Sequence, residues 1–268
     1  MLNLSSERTL VMGVLNRTPD SFSDGGRFNH LDSALQRVDM MLAEGVDIID
    51  IGGESTRPGA EAVSVEVELE RVIPFIDAIR QHHAIPISVD TSKAMVMQAA
   101  IKAGADMVND VRALQEPDAL AVCAASTVKL CLMHMQGQPR TMQHNPQYTD
   151  VVAEVKAFFE ERIAACVAAG ISKDRLVLDP GFGFGKNLNH NLTLLRHLDC
   201  LVQMNFPILV GMSRKSMIGQ LLDNRPVDGR LHGSVAAAVI AAMQGAAIVR
   251  VHDVAATVDA LKLVEAVR

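Results

Sequence analysis

The chain has 268 residues, of which 49% are hydrophobic and 21% are charged, so it can bury a large core and is not a disordered chain. The net charge of −6 and the lack of a Lys/Arg run argue against nucleic acid or an anionic membrane as a partner. The N-terminus lacks a basic region followed by a secretory apolar stretch, and the apolar run at 235–243 is too short to cross a bilayer. We therefore expect a cytoplasmic protein.

Eight short apolar runs occur along the chain, and nearly all of them end at a polar or glycine-rich cluster. In chain order the runs are 10–15, 46–51, 87–89, 107–108, 128–132, 176–178, 208–210 and 248–249. Strands that are apolar throughout are typical of a parallel sheet buried on both faces. Segments with helical spacing lie between the runs, as in the first, where Leu31, Leu35 and Val38 share one stripe. The order predicts an α/β fold, a single (β/α)8 TIM barrel domain spanning 1–268.

Local signals place several element ends. Gly45, Gly104, Gly170 and Gly245 each follow a predicted helix, where glycine takes the left-handed conformation before the next strand. Ser92 is a natural N-cap for the third helix. Long loops follow strand 1 (16–30), strand 2 (56–64) and strand 5 (136–147), and such loops on the active face of a barrel usually bind or cover substrate.

The cysteines give no sign of a metal site or a disulfide framework. Cys123, Cys131, Cys166 and Cys200 have no CxxC spacing and no histidine at ligand distance. We interpret them as inert, reduced thiols that fill the core.

Polar residues at the strand ends are predicted to form one site, because all barrel strands end on the same face. Arg250 and His252 are two residues apart, so both side chains project to the same side, and Asn16 on strand 1 neighbours strand 8 in a closed barrel. With the helix that starts near 253–257, they fit a phosphate or diphosphate better than a carboxylate. The alternative is that Arg250 pairs with a carboxylate inside the barrel, such as Asp50.

A second group suits a flat ligand. Asp90, Asn109 and Asp179 end strands 3, 4 and 6, and two carboxylates with an amide match a ligand edge rich in N–H donors, such as an aminopyrimidinone. A divalent metal is the rival for the carboxylates, although no His or Glu completes a shell. A helix-capping role for Asp90 also remains open.

The loop at 181–185 alternates glycine with Phe182 and Phe184, two aromatic rings that we expect to stack on a flat ligand. Lys215, just beyond strand 7, is expected to hydrogen-bond that ligand or to lie across its face. The alternative is a solvated lysine in a first helical turn, which the helix dipole disfavours.

These blocks together resemble the dihydropteroate synthase family. The matching segments are 16–26 (NRTPDSFSDGG), 50–59 (DIGGESTRPG), 88–91 (SVDT), 109–110 (ND), 179–186 (DPGFGFGK), 211–216 (GMSRKS) and 250–253 (RVHD). They occur in order over essentially the whole chain. The resemblance implies a transferase that condenses 6-hydroxymethyl-7,8-dihydropterin diphosphate with 4-aminobenzoate, with loss of diphosphate to a pterin-stabilised cation followed by attack of the arylamine.

The resemblance also implies residue roles, a Mg2+ cofactor, a homodimer and sensitivity to sulfonamides. The implied pterin ligands are Asp90, Asn109, Met133, Asp179, Gly211 and Lys215. Asn16, Arg57, Arg250 and His252 would bind diphosphate, Asn16 together with Mg2+, and Phe22, Thr56, Arg57, Pro58, Phe184 and Ser213 would shape the aminobenzoate pocket. Asp90, Lys215 and Arg250 are the implied catalytic residues.

Two other functions are weighed against this one. A pterin-barrel methyltransferase would share the pterin ligands but would pass a methyl group to a corrinoid partner. A non-catalytic pterin-binding module would need neither the anion site nor the long loops.

Overall fold

The computed structural model describes residues 2, 4, 8–16, 27–55, 62–137, 142–143 and 145–268, with the backbone alone at 16 and 27–30. The strands are β1 (Leu10–Asn16), β2 (Ile48–Gly52), β3 (Ile87–Asp90), β4 (Met107–Asp110), β5 (Lys129–Met133), β6 (Leu176–Asp179), β7 (Leu209–Val210) and β8 (Ile248–Val251). The helices are α1 (Arg27–Ala43), α2 (Val65–His82), α3 (Ala94–Ala103), α4 (Ala119–Ala124), α5 (Val151–Ala168), α6 (Leu188–Arg196), α7 (Leu198–Val202), α8 (Ser216–Leu221), α9 (Leu231–Met243) and α10 (Val254–Val267).

The eight strands form one parallel sheet in the order β6-β5-β4-β3-β2-β1-β8-β7. A parallel bridge between Leu178 and Ile208 joins β6 to β7, and the Leu178 N–H donates to the Pro207 carbonyl across 3.0 Å. The sheet therefore closes on itself, and the predicted (β/α)8 barrel is confirmed. Each predicted strand lies within about two residues of its observed bounds.

Side chains inside the barrel form layers, because alternate residues of a strand point to the same side of the sheet. The lower interior layer is apolar and buried, and it consists of Met12, Ile48, Met107, Cys131, Val177, Leu209 and Ile248. Two residues further along the same strands come Asp50, Asn109, Met133, Asp179, Gly211 and Arg250. A polar layer therefore rests on an apolar floor, at the end of the barrel where the strands finish.

The helices pack their apolar stripes on the outside of the sheet. In α1, Val38 and Met41 are fully buried in the large core cluster between the helices and the strands, as the predicted stripe requires. The helix-to-strand turns also follow the sequence signals. Gly104 ends α3 with φ +104°, and its N–H donates to the carbonyls of Ala100 and Ile101.

The predicted N-cap of α3 is wrong. Ser92 does not cap α3: Lys93 holds the N-cap position without a side-chain hydrogen bond, and the Ser92 hydroxyl donates instead to Asp110 Oδ1 across 2.5 Å. The buried carboxylate of Asp110 at the end of β4 accepts this bond, so the Ser92 side chain is directed toward β4 and not toward the first amides of α3.

The cysteines are all free, as predicted, but Cys200 is only half-buried and does not fill the core. His197, Asp199 and Cys200 place one potential metal-ligand atom each within 4.8 Å of one another, so the expectation that no histidine lies near a cysteine is wrong there. One helical turn brings the three together at the junction of α6 and α7.

The connections after β1, β2 and β5 are long, as predicted, with α1, α2 and α5 beginning at 27, 65 and 151. Within the described residues, no helix is both long enough and apolar enough to cross a membrane.

Candidate active site

Arg250 lies at the centre of the polar layer and bonds two carboxylates. Its Nε donates to Asp50 Oδ2 across 2.6 Å, and Nη2 donates to Asp90 Oδ2 across 2.9 Å. Asp50 is fully buried and Asp90 nearly so. The pairing with Asp50 that the sequence offered as an alternative is present, and Asp90 adds a second bond. The arginine is thus held by the barrel interior and also touches a predicted pterin ligand.

Both carboxylates keep one buried oxygen, Asp50 Oδ1 and Asp90 Oδ1, for which the described part of the protein offers no hydrogen-bond donor. Burial raises the pKa of Asp90 to about 7, although the charge of Arg250 opposes the shift. A buried acceptor of this kind is stabilised by a ligand that brings N–H donors.

Asn109 and Asp179 complete the predicted donor-binding edge. Asn109 is the register partner of Asp90 between β3 and β4, and Asp179 is the partner of Met133 between β5 and β6. All are buried at the ends of their strands. The Gly181 N–H donates to Asp179 Oδ1 across 2.8 Å, which fixes the plane of that carboxylate. Burial raises the pKa of Asp179, and Lys215 is the strongest opposing charge.

Lys215 is not a solvated lysine. It precedes α8, its Nζ donates to the Phe182 carbonyl across 2.5 Å, and the same ammonium lies 4.4 Å from the centroid of the Phe184 ring. Burial lowers its pKa to about 8, and Asp179 is the main charge that opposes the shift. Gly211 borders Lys215 and Arg250: a Cβ placed there would lie 3.7 Å from Arg250 Cβ and 4.0 Å from Lys215 Nζ.

The two phenylalanines of the glycine-rich loop have different surroundings. Phe182 is fully buried in the core, so the expectation that it stacks on a ligand is wrong. Its backbone carbonyl contributes to the site instead, through Lys215. Phe184 is half-buried and already carries the Lys215 ammonium near its ring.

Lys186, a buried lysine, holds the glycine-rich loop in place. The sequence identified it only as part of a matching segment. Lys186 Nζ contacts the carbonyls of Gly181 (3.1 Å) and Phe184 (3.0 Å) and lies 2.8 Å from His134 Nδ1. Burial, with the charge of Lys186, lowers the pKa of His134 to about 2, so the ring is neutral and Nδ1 accepts. At Gly181, φ is +67° and a Cβ would lie 1.9 Å from the His134 carbonyl oxygen, so only glycine fits.

His252 and Ser213 meet at the ends of β8 and β7. The Ser213 hydroxyl lies 3.0 Å from His252 Nδ1 and accepts from the His252 backbone N–H across 3.2 Å. Nearby, Arg214 pairs with Asp253, the residue before α10, through bonds of 3.0 and 2.5 Å. The predicted helix start is confirmed, because α10 begins at Val254, and Ser213 contacts the His252 ring.

The remaining predicted site residues lie outside the described part of the chain. These are Phe22, Thr56, Arg57, Pro58 and the side chain of Asn16. The backbone of Asn16 ends β1, in register with Gly52 of β2.

The described residues of the mouth do not supply a carboxylate shell for Mg2+, because Asp50 and Asp90 are both bonded to Arg250. The side chain of Asn16, the residue that the resemblance assigns to Mg2+, lies outside the described part of the chain. Mg2+ commonly binds through one or two protein ligands, with substrate phosphates and water as the others, so the lack of a full shell among the described residues is compatible with this ion.

Comparison with known proteins agrees with this geometry. Residues 12–252 match the family described as pterin binding enzyme. The dihydropteroate synthase of Escherichia coli (strain K12) is 59% identical over 256 residues, which cover 96% of this chain and 90% of that protein. The chain belongs to the dihydropteroate synthases.

Two solved dihydropteroate synthases share the fold closely. That of Yersinia pestis, in a complex with a sulfonamide drug, has a TM-score of 0.94 at 58% identity and covers 100% of this chain and 96% of its own. That of Xanthomonas albilineans with 4-aminobenzoic acid has a TM-score of 0.93 at 52% identity and covers 99% and 94%. The likeness extends over the whole barrel.

Proposed function

We propose that this transferase carries out its reaction, the condensation of 6-hydroxymethyl-7,8-dihydropterin diphosphate with 4-aminobenzoate to 7,8-dihydropteroate and diphosphate, at the barrel mouth through the residues assembled there. The observation that supports this most strongly is the bond between Arg250 and Asp90. Arg250 is predicted to bind the diphosphate and Asp90 to bind the pterin, and the two side chains are in contact. The diphosphate and the pterin are the two parts of the substrate joined by the bond that breaks.

In this proposal the pterin lies on the polar layer with its N–H edge toward the carboxylates. Asp179 and Asp90 accept from the ring, Asn109 supplies an amide, and Met133 and Gly211 line the ring's surroundings. Lys215, held by the Phe182 carbonyl, donates to a ring heteroatom. The orphan oxygen Asp90 Oδ1 gains a donor, which offsets the cost of burying it.

The diphosphate is proposed to bind at the ends of β1 and β8. Arg250 and His252 donate to its oxygens, with Arg57 and Asn16 as the further ligands that the family resemblance implies. Asn16 would hold Mg2+, which when bound neutralises charge on the diphosphate. The fixed guanidinium stabilises charge that develops on the leaving group.

The reaction then needs no protein nucleophile. The C–O bond between the exocyclic methylene and the diphosphate breaks, and the electron pair leaves with the diphosphate. Asp90 stabilises the cation that remains on the pterin, and the aminobenzoate nitrogen forms the new C–N bond and loses a proton. Catalysis rests on positioning and on electrostatic stabilisation by Asp90, Lys215 and Arg250.

The aminobenzoate pocket is proposed to include Ser213 and Phe184 together with Phe22, Thr56, Arg57 and Pro58. Relatives with 4-aminobenzoic acid and with a sulfonamide drug bound support an aminobenzoate pocket that also accepts sulfonamides. We propose the same sensitivity for this protein.

Three further properties are part of the proposal. Residues 1–268 act as one domain, the protein is cytoplasmic, and it forms a homodimer. The free state of all four cysteines suits a reducing compartment. Exposed apolar side chains on the C-terminal helices, such as Ile240, Met243 and Leu263, offer surface for a second copy. Light scattering coupled to size exclusion would give twice the mass of 28.9 kDa for a dimer.

The deciding experiment mixes the protein with Mg2+, the pterin diphosphate and 4-aminobenzoate and assays for diphosphate and dihydropteroate. Equal amounts of the two products are expected. Binding of the pterin without turnover would indicate a binding module, and methyl transfer to a corrinoid protein would indicate the methyltransferase.

A further inference from the structure

A second charged cluster lies beside the pterin layer and takes no part in the reaction described above. Lys93 Nζ donates to Glu54 Oε2 and to Glu68 Oε2, both across 2.5 Å. Glu68 is fully buried on α2, whereas Lys93 and Glu54 are partly exposed. One ammonium therefore joins the N-cap position of α3 to the connection after β2 and to the first turn of α2.

The position of Lys93 is fixed from the pterin side. It comes three residues after Asp90, and its backbone N–H donates to Thr91 Oγ1 across 3.2 Å. The Thr91 N–H in turn donates to the carbonyl of Asn109 across 3.1 Å. The strand ends that carry the two predicted pterin ligands thus determine where the ammonium lies.

From the other side, Glu54 joins the two described ends of the β2–α2 connection. Its Oε1 accepts from the Val63 N–H across 3.2 Å, while its Oε2 is bonded to Lys93. The Arg71 guanidinium donates to the Gly53 carbonyl across 2.8 Å, and a Cβ at Gly53 would lie 2.9 Å from Glu68 Cγ. The chain is therefore packed against α2 immediately before Glu54.

We propose that Lys93, Glu54 and Glu68 are positioning residues that set the aminobenzoate half of the site relative to the pterin half. The proposal rests on the proposed function, because Thr56, Arg57 and Pro58 lie between Glu54 and Val63 in sequence. The bonds of Glu54 to Lys93 and to the Val63 N–H fix the positions of the described residues that flank this stretch of sequence. Aminobenzoate affinity then depends on the cluster, and affinity for the bare pterin does not.

The test compares Glu54→Gln and Lys93→Met with Lys102→Met, which removes an exposed lysine from the other end of α3. We expect the KM for aminobenzoate to rise about tenfold in the first two variants, because Glu54 then no longer holds its fixed position beside the residues proposed to bind aminobenzoate. The Kd for 6-hydroxymethyl-7,8-dihydropterin should stay within about twofold of the wild-type value, and Lys102→Met should change neither quantity. Lys93→Arg, which keeps a cation between the two carboxylates, should recover part of the loss.

Lys93→Met leaves the buried Glu68 without a cation and will lower stability. Lys93→Met/Glu68→Met removes that buried charge as well, so the fold should recover while Glu54 stays detached. The proposal requires the aminobenzoate KM to remain high in this double variant. An unchanged KM in folded Glu54→Gln, or equal losses for aminobenzoate and pterin, would overturn it. Failure of the wild-type protein to form dihydropteroate would instead overturn the proposed function.

Discussion

Arg250 Nε and Asp50 Oδ2 lie 2.6 Å apart inside the barrel, so the guanidinium proposed to bind diphosphate is fixed from below by a fully buried carboxylate. The second bond of Arg250, to Asp90, reaches the ligand-binding layer. In the proposed complex the pterin donates to Asp90 Oδ1, so Arg250 keeps its bonds to both carboxylates. Asp50 therefore fixes the guanidinium from inside the barrel, and Asp90 links it to the layer proposed to bind the pterin.

Asp50→Asn is expected to destabilise the protein by about 3 kcal/mol, because removing one charge of a buried pair leaves the other poorly compensated. Denaturant unfolding measures this. The matched control is Asp259→Asn, which breaks an exposed pair with Lys262 and should cost at most about 1 kcal/mol. Similar losses for the two variants would show that the Asp50–Arg250 pair contributes no more to stability than an exposed ion pair does.

Arg250→Ala is expected to weaken diphosphate and the pterin diphosphate at least about tenfold, since a charge-assisted, bidentate donor is lost. The bare hydroxymethyl pterin should be affected little. Arg250→Lys keeps a cation between Asp50 and Asp90. This variant therefore distinguishes a folding defect from the specific loss of the planar guanidinium. Calorimetry with the three ligands is the measurement. If all three weaken alike, Arg250 serves the barrel rather than the diphosphate.

Asp179→Asn is expected to cost about 2–5 kcal/mol in pterin binding, because an amide N–H would face a donor of the ring. The asparagine oxygen can keep the bond from the Gly181 N–H, so the loop should stay folded. Calorimetric titration with pterin tests the assignment, and circular dichroism checks the fold. Unchanged affinity in a folded variant would remove Asp179 from the pterin site.

The pH profile of kcat/KM for the pterin diphosphate should be bell-shaped. Burial raises the pKa of Asp90 to about 7, so its ionised, accepting form is lost as the pH falls through that value. Burial lowers the pKa of Lys215 to about 8, so its ammonium is lost as the pH rises through that value. Lys215→Arg should move the alkaline limb to higher pH. An alkaline limb that stays in place would assign it to another group.

Aminobenzoate is expected to bind measurably only when pterin diphosphate, or pterin plus diphosphate, is already present. The reason is electrostatic, because bound diphosphate offers negative charge to Arg57, a residue outside the described part of the chain. Equilibrium dialysis of labelled aminobenzoate against the protein, with and without diphosphate, measures the dependence. Comparable affinity in both conditions would show that the pocket is formed in advance.

The sequence by itself determined the architecture and the position of the site. Apolar runs with polar stops predicted every strand, because the alternation of side chains and the helical spacing are local properties of the chain. Since the strands of a barrel end on one face, the same stops predicted that Asp90, Asn109, Asp179 and Arg250 converge. The structure places all four in or directly above one interior layer.

The tertiary structure alone decided which of these residues bond to one another. Arg250 is 160 residues from Asp90 and 200 from Asp50, and the closure and stagger of the barrel bring them together. The burial of Phe182, the bond of Ser92 to Asp110 and the bridge from Lys93 to Glu54 and Glu68 have the same origin. Periodicity records which side of a strand a residue faces, but the partner it meets depends on neighbouring strands and helices whose register no local pattern contains.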